Sequence, residues 1–231
     1  RLADKFSMGV SARYLRSDLK IQAVDDTAQA ASSYAVDISG YYQGEEQSYG
    51  GIDGRFRGGF IIQNLGPKIK YDESGRETFL PTNFKLGGGF DFILDQYNKV
   101  SVTAEVSKLL VPTPPIMGYA QDYIDNNDNG IFDEGDEQVG DSYSYGIYEG
   151  QDPDVDFLSG VFQSFSDAPG GFSEELKEFT WALGAEYLYE DSFAIRAGFF
   201  NESEEKGARK FLALGAGFKF SGTKIDLSYL F

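Results

Sequence analysis

Apolar and polar side chains alternate along most of this chain. Between Lys177 and Tyr189, one parity holds Phe179, Trp181, Leu183, Ala185, Tyr187 and Tyr189, and the other holds Glu178, Thr180, Gly184 and Glu186. The same pattern returns in Phe193, Ile195, Ala197 and Phe199, in Leu212, Leu214, Ala216, Phe218 and Phe220, and in Ile225, Leu227, Tyr229 and Phe231. The first half repeats it with Phe6, Met8, Val10, Ala12 and Tyr14, with Val36 and Ile38, with Phe56, Phe60 and Ile62, with Phe84, Leu86, Phe90, Phe92 and Leu94, and with Val100, Val102, Ala104 and Val106. A period of two is the signature of a strand with two unlike faces. The pattern predicts about nine strands of roughly 9–11 residues, the length that crosses a bilayer at a tilt.

A water-soluble β-sandwich also alternates, so two further features decide the reading. The apolar parity is nearly free of charge, while the other carries Arg13, Asp37, Arg55, Arg57, Lys85, Asp91, Glu105, Glu186, Arg196, Lys219 and Asp226. The connections also alternate in length. Leu2–Lys5, Asp95–Lys99, Glu190–Ser192 and Ser221–Gly222 are short, and Gly44–Gly51 falls with them by parity. Asp18–Ser33, Leu65–Thr82, Pro112–Leu176 and Asn201–Arg209 are long. Short turns on one side and long loops on the other are the habit of an outer-membrane barrel, with the long loops extracellular. The expected fold is all-β: a single transmembrane antiparallel barrel over 1–231 with an extracellular insertion at 112–177. Nine is an odd strand count, and an open sheet leaves backbone groups unpaired in lipid. Strands beyond both ends are therefore expected. The mixed charges of the inner parity read as an ion-pair network filling a narrow lumen, with a conduction path as the alternative.

Composition narrows the chemistry. The 231 residues contain no Cys and no His, which removes thiol chemistry, the commonest zinc ligand and any Ser-His or Cys-His nucleophile. Phe (20), Tyr (15) and Gly (28) are abundant, as strands and tight turns require. No apolar run reaches the ~18 residues of a membrane-spanning helix. A net charge of −17 argues against nucleic acid. Nothing in the chain forms a catalytic constellation, and the expectation is a protein without enzymatic activity.

The insertion carries the most specific motif. Asp125, Asn127 and Asn129 occupy positions 1, 3 and 5 of an EF-hand-type loop, Gly130 the turn at 6, Ile131 the backbone ligand at 7, Asp133 position 9 and Asp136 position 12. Such spacing wraps oxygen ligands round a calcium ion, although Asp136 is shorter than the usual Glu. The competing reading is a solvated acidic loop, since residues 121–156 hold twelve acidic side chains and no Lys or Arg. Beyond it, Phe157, Leu158, Val161, Phe162 and Phe165 fit one helical face, read either as self-packing or as a docking surface for a partner protein. Pro112, Pro114 and Pro115 cannot donate ladder hydrogen bonds and end the preceding strand, shaping the loop or meeting a partner.

Three stretches carry a family resemblance: Gln63-Asn-Leu-Gly-Pro-Lys-Ile-Lys-Tyr71, Phe79-Leu-Pro-Thr-Asn-Phe-Lys-Leu-Gly87 and Lys108-Leu-Leu-Val-Pro-Thr-Pro-Pro115. With the opening Asp4-Lys-Phe-Ser-Met-Gly-Val-Ser-Ala-Arg13, the chain resembles the PorV family, the outer-membrane barrels of the type IX secretion system of Bacteroidota. The resemblance implies a FadL-like barrel of about 14 strands in the outer-membrane lipid bilayer. It also implies partners: the large translocon barrel, the C-terminal domains of secreted cargo, and the surface attachment complex that receives it. The alternative function is a FadL-like channel for hydrophobic small molecules. A third reading, an envelope enzyme or its accessory, is weakened by the missing histidine.

Overall fold

The computed structural model describes residues 3–18, 30–70, 77–124, 126 and 137–231. In chain order its elements are β1 (Phe6–Ser17), β2 (Ala31–Gln43), β3 (Gln47–Tyr49), β4 (Ile52–Leu65), β5 (Asn83–Ile93), β6 (Asn98–Leu109), β7 (Ile116–Ile124), β8 (Glu137–Glu149), α1 (Phe157–Gln163), α2 (Gly171–Lys177), β9 (Thr180–Tyr189), β10 (Phe193–Asn201), β11 (Lys210–Phe220) and β12 (Thr223–Leu230). They fall into two units, one of Arg1–Val111 with Leu176–Phe231 and one of Pro112–Glu175.

The first unit is an antiparallel meander in the order β1-β2-β4-β5-β6-β9-β10-β11-β12, with the short β3 folded back on β4. The nine long strands match those read from the alternation. Among the described residues β1 and β12 are the two edges and do not pair with each other, so the described sheet is open. Its register lays Arg55, Asp91, Ser101, Glu186, Arg196 and Gly215 side by side across six strands. All the side chains of that row therefore project from one face.

Exposure runs opposite to that of a water-soluble protein. Along β9, Trp181, Leu183, Ala185, Tyr187 and Tyr189 are exposed, while Thr180, Ala182, Gly184, Glu186 and Leu188 are half-covered. Val10, Phe56, Leu86, Ile195, Leu214 and Leu227 are likewise exposed. Among the described residues the sheet strands bury few apolar side chains, such as Ala194; a small cluster, Ala31, Ala35, Ile69 and Leu80 with Leu15 against it, sits at the long-loop end. A contiguous apolar surface of this extent needs a cover, and a bilayer supplies one.

Aromatic rings mark both ends of the apolar face. Tyr14 packs on Tyr34 at 5.3 Å and Trp181 on Phe199 at 5.5 Å toward the long-loop side. Tyr49, Phe56, Phe90 and Phe92 cluster at 4.6–5.5 Å toward the short-turn side. Tyr34 and Tyr42 lie on the same face of β2 and pair with Tyr14 and Phe6. Eight residues at ~3.4 Å each separate them, about 27 Å along the strand and about 20 Å after a barrel-like tilt of ~40°. Amphipathic rings at both ends of an apolar band of that height are what two membrane interfaces select.

The short turns explain the register. Gly50 and Gly51, Glu190 and Asp191, and Ser221 and Gly222 all have positive φ, from 45° to 92°. Positive φ at both central residues is the type I′ turn, whose twist matches that of the strands it joins. In the turn between β5 and β6, Asp95 Oδ1 accepts the backbone N–H groups of Tyr97 at 2.7 Å and Asn98 at 2.8 Å.

The second unit holds a feature the alternation does not reveal. β7 and β8 form a separate two-stranded antiparallel hairpin with two register shifts. The helical reading of Phe157–Phe165 is corrected at its C-terminal end. α1 ends at Gln163, so Phe165 lies beyond it. At ~100° per residue the four apolar side chains Phe157, Leu158, Val161 and Phe162 span an arc of roughly 140°, and only one edge of that arc is covered. Val161 is buried and Phe157 half-buried, whereas Leu158, Phe162 and Phe165 are exposed.

Candidate functional site

The charged parity of the sheet pairs internally. Asp91, only 5% exposed, accepts from Arg55 Nε at 2.8 Å and Ser101 Oγ at 2.7 Å, and lies 2.7 Å from the Arg57 guanidinium. Arg196 bridges Glu186 at 2.5 Å and Asp226 at 2.6 Å; Lys85 meets Glu105 at 3.4 Å; Arg13 pairs with Asp37. Each pair joins different strands, so the charges cross-link the sheet on the face turned away from the apolar band. The polar parity thus forms an ion-pair network across the sheet. Asp37 sits where the β2–β4 register shifts, and there it also accepts the backbone N–H of Asn64 at 2.9 Å. The shift re-aims one carboxylate to hold both an arginine and a rim turn.

At the long-loop end, the sheet unit knits together the stretches that carry the family resemblance. Asn64, at φ 58°, donates from its side chain to the Pro81 carbonyl at 3.0 Å, and the Thr82 hydroxyl donates to the Asn64 carbonyl at 2.9 Å. The Leu110 N–H donates to the Thr82 carbonyl at 2.7 Å. Leu80, Thr82 and Leu110 are all buried. Gly66 has no side chain because a Cβ there would collide with the Tyr34 carbonyl on β2. The unusual residue types in these stretches are thus the hydrogen-bonding parts of one rim.

Alternation gave no hint of the ion cluster at the same end. Lys108 is fully buried, with its ammonium 2.6 Å from Glu178 Oε2 and 5.2 Å from the centre of the Phe179 ring. Lys206, in the β10–β11 loop, reaches the other oxygen of Glu178 at 3.0 Å. Glu178 therefore joins the end of β6, the approach to β9 and the β10–β11 loop. The sequence signal was available: Lys108 falls on the apolar parity of Val102, Ala104 and Val106, where a cation demands a partner. The loop itself is tied by Arg209, which grips Glu202 with two nitrogens at 2.7 and 2.8 Å, and by Lys210 on Glu204 at 2.7 Å. These partners hold both glutamates below the usual carboxylate range.

In the second unit, Asp167 accepts the Thr113 N–H at 2.9 Å. Gly150, at φ 96°, lies against Pro115 and Pro169. Pro112 is buried, Pro115 half-buried and Pro114 exposed. Asp156 caps α1 by accepting the Leu158 and Ser159 N–H groups, and the Ser159 hydroxyl, with those backbone bonds beside it, holds its carboxyl below the usual range. Of the suggested partner-binding residues, Pro112 and Val161 are covered, while Pro114, Leu158, Phe162 and Phe165 remain accessible. The calcium-type residues Asp125, Asn127, Asn129, Ile131, Asp133 and Asp136 lie outside the described residues.

The model of the type IX secretion system protein PorV matches residues 1–116. The chain belongs to that family. The match spans β1 to β6 and all three rim stretches, and it ends where β7 begins. No curated protein matches the chain. Family membership makes it a component of the type IX secretion system.

Proposed function

We propose that this protein is an outer-membrane barrel subunit that binds secreted cargo through its C-terminal domain at the translocon and hands it to the surface attachment complex. The observation that carries this reading is the rim: the stretches that carry the family resemblance are joined there by hydrogen bonds from Asn64, Thr82 and Leu110 at the long-loop end. The long loops face outward, and further strands pair with the edges of β1 and β12 to close a FadL-like barrel of about 14 strands, because open edges in lipid cost several kcal/mol per unpaired group. Pro112, Pro114, Pro115 and the α1 residues Phe157, Leu158, Val161 and Phe162, with Phe165, contribute to partner contact, the exposed members supplying the surface. Residues 125–136 hold a structural calcium ion, for which an extracellular affinity of ~10⁻⁴–10⁻³ M suffices. Calorimetry of the intact protein that detects no calcium uptake contradicts that assignment.

A FadL-like channel for hydrophobic small molecules is the second reading. A recess of about 400 Å³ over Gly59, Gly87 and Gly89 favours it. Its rim carries Arg57, Lys85 and Glu105, which is poor chemistry for an acyl chain. Affinity capture of the intact protein from native membranes separates the two. Recovery of a giant barrel together with cargo supports secretion. Recovery of the subunit alone with bound lipid supports transport and overturns the proposal.

A further inference from the structure

The charge of this protein is very unevenly placed. Of its 37 acidic and 20 basic residues, 15 acidic and no basic ones fall within 112–175, leaving 22 and 20 for the sheet unit. The second unit alone thus carries −15 of the total −17. Within it, the β7–β8 hairpin sets Met117 opposite Ile147 and Tyr119 opposite Tyr145, with Tyr143 next along the same face. Opposed residues of an antiparallel pair share a face. All five side chains are exposed, Tyr119 by 72% and Tyr145 by 62%, and the two rings meet edge-on at 5.2 Å. The opposite face is made of small residues, Gly118, Gly146 and Ser144, with the Tyr148 side chain beside Gly118. Among the described residues no third strand pairs with either edge. A lone hairpin is marginal in water, and its open edges are templates for another strand.

We propose that this hairpin is a docking surface for an extended, lysine- and arginine-bearing segment of another polypeptide. The segment adds along an open edge of the hairpin and lays alternate basic side chains over the tyrosine face. Main-chain pairing supplies register, cation–π contact with Tyr119, Tyr143 and Tyr145 supplies local affinity, and the surrounding carboxylates supply attraction and speed of encounter. Charge selects this occupant over the others. A second copy would bring −15 against −15, and phosphate-bearing lipid headgroups carry the same sign as the unit. One calcium ion in the adjoining loop offsets only two of those charges. The inference rests on the hairpin and its charge alone and holds whether or not the secretion reading does.

The test is fluorescence anisotropy on the full chain in detergent micelles with EDTA present. The probes are a labelled dodecapeptide of alternating Lys and Val and its Glu-Val counterpart. The expected results are at least ten-fold tighter binding of the Lys-Val peptide, and at least ten-fold weakening between 0.05 and 0.5 M salt as the Debye length shrinks from about 14 to about 4 Å. Tyr119→Ser with Tyr145→Ser is expected to weaken binding about ten-fold. Glu149→Gln with Asp152→Asn and Asp154→Asn, which leaves the tyrosines intact, is expected to reduce both the affinity and its salt dependence. Equal affinity for the two peptides overturns the proposal. So does binding that neither set of substitutions changes, or a concentration-dependent dimer in sedimentation that the tyrosine substitutions abolish.

Discussion

Glu178 ties three segments together at the long-loop end. It faces a fully buried ammonium on one side and Lys206 on the other, so replacing it removes the carboxylate partner from a charge with little access to water. Breaking such a pair costs about 3 kcal/mol or more. Glu178→Gln is expected to lower the midpoint of denaturant unfolding accordingly, while the same change at exposed Glu204 is expected to leave it nearly unchanged, because solvent screens that pair. A second residue offers a gain. Ser221 adopts φ 45° before Gly222 at φ 86°, a type I′ turn that prefers Asn-Gly. Ser221→Asn is expected to stabilise by roughly 0.5 kcal/mol, and Ser221→Val to destabilise, because a β-branched side chain resists the left-handed region.

At the scale of elements, the long strands were legible because each keeps one parity apolar over its whole length. β7 and β8 were not. Gly118, Gly146 and the two register shifts break their alternation, and the acidic run between them reads as solvated loop. α1 was legible as a helix but not as a surface: four apolar side chains within one arc do not say which edge of that arc will be covered. The β10–β11 loop was legible only as a loop, although its charges decide its order. Glu202 and Glu204 have folded pKa values below those of the unfolded chain, since Arg209 and Lys210 favour the ionised forms. Their contribution is therefore complete above the unfolded carboxylate pKa of ~4.3 and is lost as pH falls through the folded values. Hydrogen exchange at Ser203–Ala208 is expected to be slow at pH 6 and to accelerate, beyond the intrinsic pH effect, below about pH 4. Unchanged protection there contradicts the ion-pair account of the loop.

For the whole molecule, the sheet is turned inside out relative to a soluble protein: charges pair with one another on one face and apolar side chains stand exposed on the other. That reversal was readable from parity together with loop lengths, because neither a sandwich nor a soluble barrel segregates charge so completely while alternating short and long connections. The rim was legible as a resemblance, through Asn64, Thr82 and Leu110, but its hydrogen bonds follow from strand register, which sequence spacing does not fix. The acidic insertion was legible as charge and hidden as structure, since its hairpin is short, irregular and flanked by carboxylates.

The absence of cysteine makes a direct test of the reversed sheet possible. Single cysteines placed in turn from Ala182 to Leu188, in the protein reconstituted in lipid bilayers, can be labelled with a polarity-sensitive fluorophore and quenched by lipid-borne and by aqueous quenchers. Positions 183, 185 and 187 are expected to respond to the lipid-borne quencher, and 182, 184, 186 and 188 to the aqueous one. Quenching without a two-residue period, or aqueous quenching at 183, 185 and 187, contradicts a membrane-spanning sheet.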